Sequence, residues 1–151
     1  MSLESGLYQI TSAWGDKPFV GRDWVEDLSL MPKRIITIPT SSQAPRPWVV
    51  QKVEDDRYIL KATDAPTAII DDKVFAVLLD VPPAEEWLIT AVPQSGEDAY
   101  IIEKKDRQAG WVIPDVEERT QVVVRPLIVG PSYPPFYPPN QVFIIKPVLL
   151  D

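Results

Sequence analysis

The 151-residue chain sets Lys+Arg 15 against Asp+Glu 22, a formal net charge of −7, and contains neither histidine nor cysteine. That excludes Ser-His-Asp and Cys-His nucleophile systems and zinc sites of the usual nitrogen and sulfur type, and an acidic surface opposes binding to a phosphate backbone. Apolar residues make up 45%, so the chain can bury a core, and its length suits one domain spanning residues 1–151.

Helical periodicity is absent, and 17 prolines punctuate the chain. What recurs is a run of four to seven residues rich in Val, Ile and aromatics, bounded by Pro, Asp or Gly, as short half-buried strands are. In order these are "LYQI", "FVGR", "RIITI", "WVVQKV", "RYILKA" and "TAII". They continue with "VFAVLLD", "EWLITAV", "AYIIEK", "GWVIP", "QVVVRPL" and "VFIIKPV". Twelve strands divide into three groups of four. The first strand of each group carries Tyr8, Tyr58 or Tyr100, and the fourth carries Trp48, Trp87 or Phe143. Self-similarity at a period of roughly 40 to 50 residues marks an internal repeat. The expected fold is all-β: a β-trefoil, twelve strands in three pseudo-repeats. A closed barrel needs no disulfide to protect a sheet edge.

Four carboxylate pairs invite a catalytic reading: Asp55-Asp56, Asp71-Asp72, Glu85-Glu86 and Glu117-Glu118. Each lies in a short polar stretch between strands, where acids ordinarily solvate a turn, and none has the spacing of a calcium loop. The chain is therefore not expected to be an enzyme, and no metal or cofactor is expected. Function falls to the loops, of which three are long. Pro39–Pro47, "PTSSQAPRP", carries Arg46 between two prolines, a poor bait for a trypsin-like enzyme. Val129–Gln141, "VGPSYPPFYPPNQ", is expected to fold back over the barrel with Tyr133, Phe136 and Tyr137 packed down.

The remaining loop lies inside "FVGRDWVEDLSLMPKR", Phe19 to Arg34. A hairpin needs only two to five residues to turn, so this connection is far longer than its strands require. Leu28, Leu30 and Met31 are able to dip into a minor core. Trp24, beside Asp23 and just past the strand end, is harder to bury, which points to a binding role for the start of the loop.

"SGLYQI", "FVGRDWVEDLSLMPKRI", "EEW" and the "YPPNQ" tail, in this order, resemble the fungal cospin-like serine protease inhibitors of mushrooms. The likeness covers essentially the whole chain and extends more distantly to plant Kunitz-type trypsin inhibitors and to mycocypins. It implies substrate-like inhibition of a trypsin-type, or chymotrypsin-type, serine protease by the loop between strands two and three. The residues so implicated are Arg22, Asp23, Trp24, Val25, Glu26, Asp27 and Leu28. Trypsin's pocket wants Arg or Lys, which makes Arg22 the first choice of bait. Lys33 and Arg34 have the right charge, but Pro32 and the following strand restrict them. Trp24 is second choice, and it or Leu28 suits a chymotrypsin-like pocket. The Kunitz loop between strands four and five is here only Glu54–Asp56, and is expected to be inert.

Three other outcomes stay open: a cysteine protease inhibitor like the mycocypins, a carbohydrate-binding lectin, and a relative that has lost inhibition. Ricin-type lectins repeat a Gln-x-Trp signature, to which only "QVF" comes near. With no cysteine, no secretory signal and no apolar run near the ~20 residues of a membrane span, a cytoplasmic monomer without membrane or nucleic-acid partners is expected. The resemblance also suggests defence of a fruiting body.

Overall fold

Alternating apolar and polar residues build most of the strands in the computed structural model, which describes residues 3–79 and 81–148. In chain order they are β1 Gly6–Ser12, β2 Phe19–Gly21, β3 Lys33–Arg34, β4 Ile36–Ile38 and β5 Trp48–Glu54. Next come β6 Arg57–Ala62, β7 Ala65–Ile70, β8 Lys73–Ala76 and β9 Trp87–Ala91. The last four are β10 Ala99–Lys104, β11 Gly110–Val112, β12 Val123–Arg125 and β13 Phe143–Pro147. Single 3₁₀ turns occupy Pro93–Ser95 and Pro139–Gln141. Asp80, which ends the expected strand "VFAVLLD", lies outside the described residues, as do the first two and last three positions of the expected domain.

All thirteen strands belong to one hydrogen-bonded sheet. Nine of them close on themselves in the order β1, β5, β6, β7, β8, β12, β11, β10, β13 and back to β1. β9 bridges β6 and β10, β2 runs beside β1 and β4, and β3 beside β8. The all-β class holds, but the expectation of a β-trefoil with twelve strands in three pseudo-repeats is corrected to a closed nine-strand barrel with four further strands. The extra strand arises inside "RIITI". Ile35 donates its N–H to the Val74 carbonyl and its own carbonyl accepts the Val122 N–H. The chain therefore leaves β8 and joins β2 within three residues. A continuous apolar run carries no mark of that change of partner.

The aromatic repeat is present in the pairing. Tyr8 faces Trp48, Tyr58 faces Trp87, and Tyr100 faces Phe143 across neighbouring strands. Trp48, Trp87 and Phe143 surround Trp111 in the core, with ring centroids 5.9, 5.4 and 5.8 Å from it. The last two contacts are edge-to-face, the arrangement that ring quadrupoles favour. Burying an indole leaves its N–H to be satisfied. Trp87 donates to Thr67 Oγ1 at 2.8 Å, and Trp48 donates to the Val20 carbonyl at 2.8 Å. That second bond ties the core directly to β2, from which the long loop springs.

Two hairpins need almost no chain to turn. Thr63-Asp64 joins β6 to β7 and Asp71-Asp72 joins β7 to β8, with all four residues at positive φ. Successive left-handed residues match the twist of the paired strands. Threonine is strained there because of its branched Cβ, which bears on the site described next.

Candidate functional site

Residues 22–32 connect β2 to β3, and nearly every polar side chain among them is spent on holding the loop in shape. At its base Gly21 lies so close to the loop of residues 39–47 that an added Cβ would meet the Pro45 ring at 2.9 Å. Arg22 follows, its side chain 13% exposed. Its Nη2 and Nε donate to the two carboxylate oxygens of Glu26 at 2.6 and 3.1 Å. Its Nη1 donates to the carbonyls of Ala62 and Thr63 at 3.1 and 3.4 Å. The guanidinium fork thus closes the loop on itself and braces it against the strained β6–β7 turn. Such paired, charge-assisted bonds are the strong class.

The neighbouring side chains reach outward to other loops. Asp23 pairs with Arg119 at 2.6 Å, while its other oxygen accepts the Val25 N–H at 3.1 Å. Trp24 is 43% exposed. Its indole donates to the Ala44 carbonyl at 2.7 Å, and the Arg46 guanidinium lies 4.7 Å from the ring centroid, a cation–π arrangement. Arg46, placed in the sequence as a poor bait, is therefore a cover for Trp24.

At the far side a second bracket forms. Asp27 Oδ1 accepts the Ser29 N–H at 3.0 Å and the Ser29 hydroxyl, an Asx turn of the kind Asp favours. The Ser29 hydroxyl in turn accepts the Met31 N–H at 3.3 Å. The buried Lys33 ammonium donates to Asp27 Oδ1 at 2.6 Å and to the Asp27 carbonyl at 3.1 Å. These bonds, Lys33 first, hold the Asp27 carboxyl down at about 2.

The structure thus places all of the sequence candidates in one displayed loop and divides them. Arg22, Asp23, Trp24, Glu26 and Asp27 are committed to partners within the chain. Val25 and Leu28 point outward, Leu28 fully exposed, with Leu30 and Met31 beyond it. The other course open to this stretch, with Trp24, Leu28, Leu30 and Met31 dipping into a minor core, is not the one taken: all four are exposed. Ser29, Ala44 and Arg119 were missed. Ser29 alone had a local signal, the Asp-x-Ser spacing, whereas the other two are brought in by the fold.

The remaining long loop behaves differently from expectation. Tyr137 packs on a small cluster of Val92, Ala99, Ile101 and Val142, but Tyr133 is wholly exposed and Phe136 about half so. Its rings are therefore not all packed down. The Glu54–Asp56 turn is tight, closed by ion pairs of Arg57 with Glu54 and Glu86. Among the described residues no three His, Cys, Asp or Glu side chains gather as a metal site.

Residues 1–147 match the peptidase inhibitor I66 family. The chain belongs to that family. It is accordingly an inhibitor rather than an enzyme, with a protease as its partner. A serine protease inhibitor of Lentinula edodes is 46% identical over 146 residues, covering 96% of this chain and 99% of the relative. A proteinase inhibitor from Coprinopsis cinerea superposes with a TM-score of 0.89 at 42% identity, covering 97% and 99% of the two chains. A designed three-fold symmetric protein superposes with a TM-score of 0.69 at 14% identity over 93% and 99%. That last likeness is one of fold alone. These relatives support the fungal, cospin-like assignment of the inhibitor made from its sequence.

Proposed function

We propose that the chain inhibits a serine protease of trypsin or chymotrypsin type by presenting the β2–β3 loop, Arg22 to Leu28, as a substrate. The observation that carries this is the pattern of that loop: five polar or aromatic side chains turned to internal partners, apolar ones turned to solvent. In substrate-like inhibition an extended segment pairs with the enzyme's cleft, one side chain enters the S1 pocket, and its carbonyl points to the oxyanion hole. A free peptide loses much of its affinity to ordering, and the two brackets remove that cost before binding. The Lentinula relative is named a serine protease inhibitor and the Coprinopsis one a proteinase inhibitor, and the first of these names supports a serine protease target.

The test replaces Trp24–Met31 with a Gly-Ser linker of equal length and titrates both proteins against trypsin and chymotrypsin. Loss of inhibition with retained near-ultraviolet circular dichroism is the expected result. Inhibition that survives the replacement would move the function to another loop.

A further inference from the structure

We propose that Leu28 is the side chain that fills the protease's S1 pocket, so the target has an apolar, chymotrypsin-like pocket. The inference rests on the substrate-like reading of this loop and adds to it the bait residue and the class of enzyme.

Occupancy decides the first part. A bait side chain must leave the inhibitor and enter the enzyme, so any internal bond it makes is lost on binding. Arg22 would surrender four hydrogen bonds, two of them to Glu26 and two to the β6–β7 turn. Trp24 would surrender its bond to Ala44 and its stacking with Arg46. Glu26 and Asp27 are acids held by cations, and Asp23 is paired with Arg119. Leu28 surrenders nothing. It is fully exposed, and among the described residues no hydrogen bond involves its N–H or its carbonyl, so both are ready to pair with a protease. Val25 is exposed too, but its N–H is already bonded to Asp23 and its branched side chain is stiff.

The setting of Leu28 makes the second argument. Its two neighbours, Asp27 and Ser29, are bonded to each other across it, and Asp27 is held by the buried Lys33 ammonium. The chain on both sides of the Leu28–Ser29 peptide bond is thereby tied to one anchor. Should the enzyme hydrolyse that bond, water adding to give a Leu28 carboxylate and a Ser29 amine, the two new ends stay beside each other. Ser29 is also small, which suits the position just after the scissile bond. The pocket class then follows from the side chain: leucine matches the hydrophobic slot of chymotrypsin and leaves trypsin's pocket Asp without a cation.

The experiment uses the whole chain, as wild type, Leu28→Gly and Leu28→Arg, titrated against chymotrypsin and trypsin, with the melting temperature of each recorded. Wild type is then incubated with a trace of chymotrypsin and the nicked chain weighed by mass spectrometry. The expected results are chymotrypsin inhibition by wild type, weakened about 100-fold or more in Leu28→Gly, and a gain of trypsin inhibition of similar size in Leu28→Arg. The expected nick lies between Leu28 and Ser29. A nick elsewhere, wild type that inhibits trypsin but not chymotrypsin, or no gain in a folded Leu28→Arg would each overturn the inference. If Leu28→Gly inhibits normally while the Gly-Ser linker abolishes inhibition, the loop reading stands and only the bait is wrong. If the linker variant still inhibits, the loop reading itself fails.

Discussion

Two of the long loops of this barrel, residues 22–32 and 129–141, are held by different forces. The first is clamped by charge: Arg22 on Glu26, Lys33 on Asp27, Arg119 on Asp23. The second is clamped by neutral amides. The buried Gln141 side chain both accepts the Ile128 N–H and donates to the Ile128 carbonyl, each at 2.8 Å, as a strand neighbour would. Gln94 donates to the Pro135 carbonyl at 2.6 Å, and Gly130 pairs with Phe136 at the loop's neck. Both loops show apolar side chains to solvent, so exposure alone does not distinguish them. The difference is that the ionic clamps of the first grip side chains on either side of Leu28, whereas the amides of the second grip mainly its base.

The comparison can be broken by removing one clamp from each loop. Gln141→Ala removes the buried amide that pairs with both the N–H and the carbonyl of Ile128, two hydrogen bonds whose loss should cost about 1–3 kcal/mol of stability. Inhibition should be unchanged wherever the protein is still folded, which chemical denaturation and a titration at low temperature would check. A Gln141→Ala protein that is stable but inactive would give the second loop a role in inhibition. Arg22→Met keeps the aliphatic stem but drops the fork and should cost about 1–3 kcal/mol. Here inhibition should weaken and nicking by the protease should accelerate, because the loop is less ordered before it binds. Unchanged nicking would mean that the Arg22 bracket holds the fold but not the loop. Leu28→Gly, the smallest change to stability, should lie within about 0.5 kcal/mol of wild type.

Acid tests the clamp between Lys33 and Asp27. The Asp27 carboxyl is lowered from 3.8 to about 2 in the folded chain, first by Lys33 and then by Ser29. A depressed carboxyl contributes stability that is complete above its unfolded value and lost as pH falls through the folded one. The stability that this bracket contributes should therefore be complete above about pH 4 and be lost between there and about 2, where the bracket itself is half protonated. A nuclear magnetic resonance titration of Asp27 should show a midpoint near 2. A midpoint at the ordinary carboxylate value would mean that Lys33 and Asp27 are not joined in solution.

How much of this was written in the residues depends on how far apart the partners lie. Strand positions follow from alternation that a reader can see, and the Tyr8, Tyr58 and Tyr100 series met its aromatic partners across the sheet. The length of the displayed loop and its membership in an inhibitor family were likewise legible. The strand count was not, because Ile35 changes partner in the middle of an unbroken apolar run. Nor were the partners of Arg22: the Ala62 and Thr63 carbonyls that its guanidinium meets lie forty residues on. Leu28 was named among the residues of the displayed loop, but leucine alone also allows burial, and its full exposure could be read only from the structure.

The change of partner at Ile35 also governs how the loop can alter over generations. Its leading foot, β2, stands on β1 and β4, while its trailing foot, β3, stands on β8. An ordinary hairpin whose arms pair with each other can absorb an inserted residue by sliding one arm along the other. Here the feet are bonded to separate strands, so an insertion has nowhere to go but the span between them. Exchanging one residue for another at the crest leaves that span intact. Inheritance should therefore retune this inhibitor by substitution while holding the length of the loop fixed.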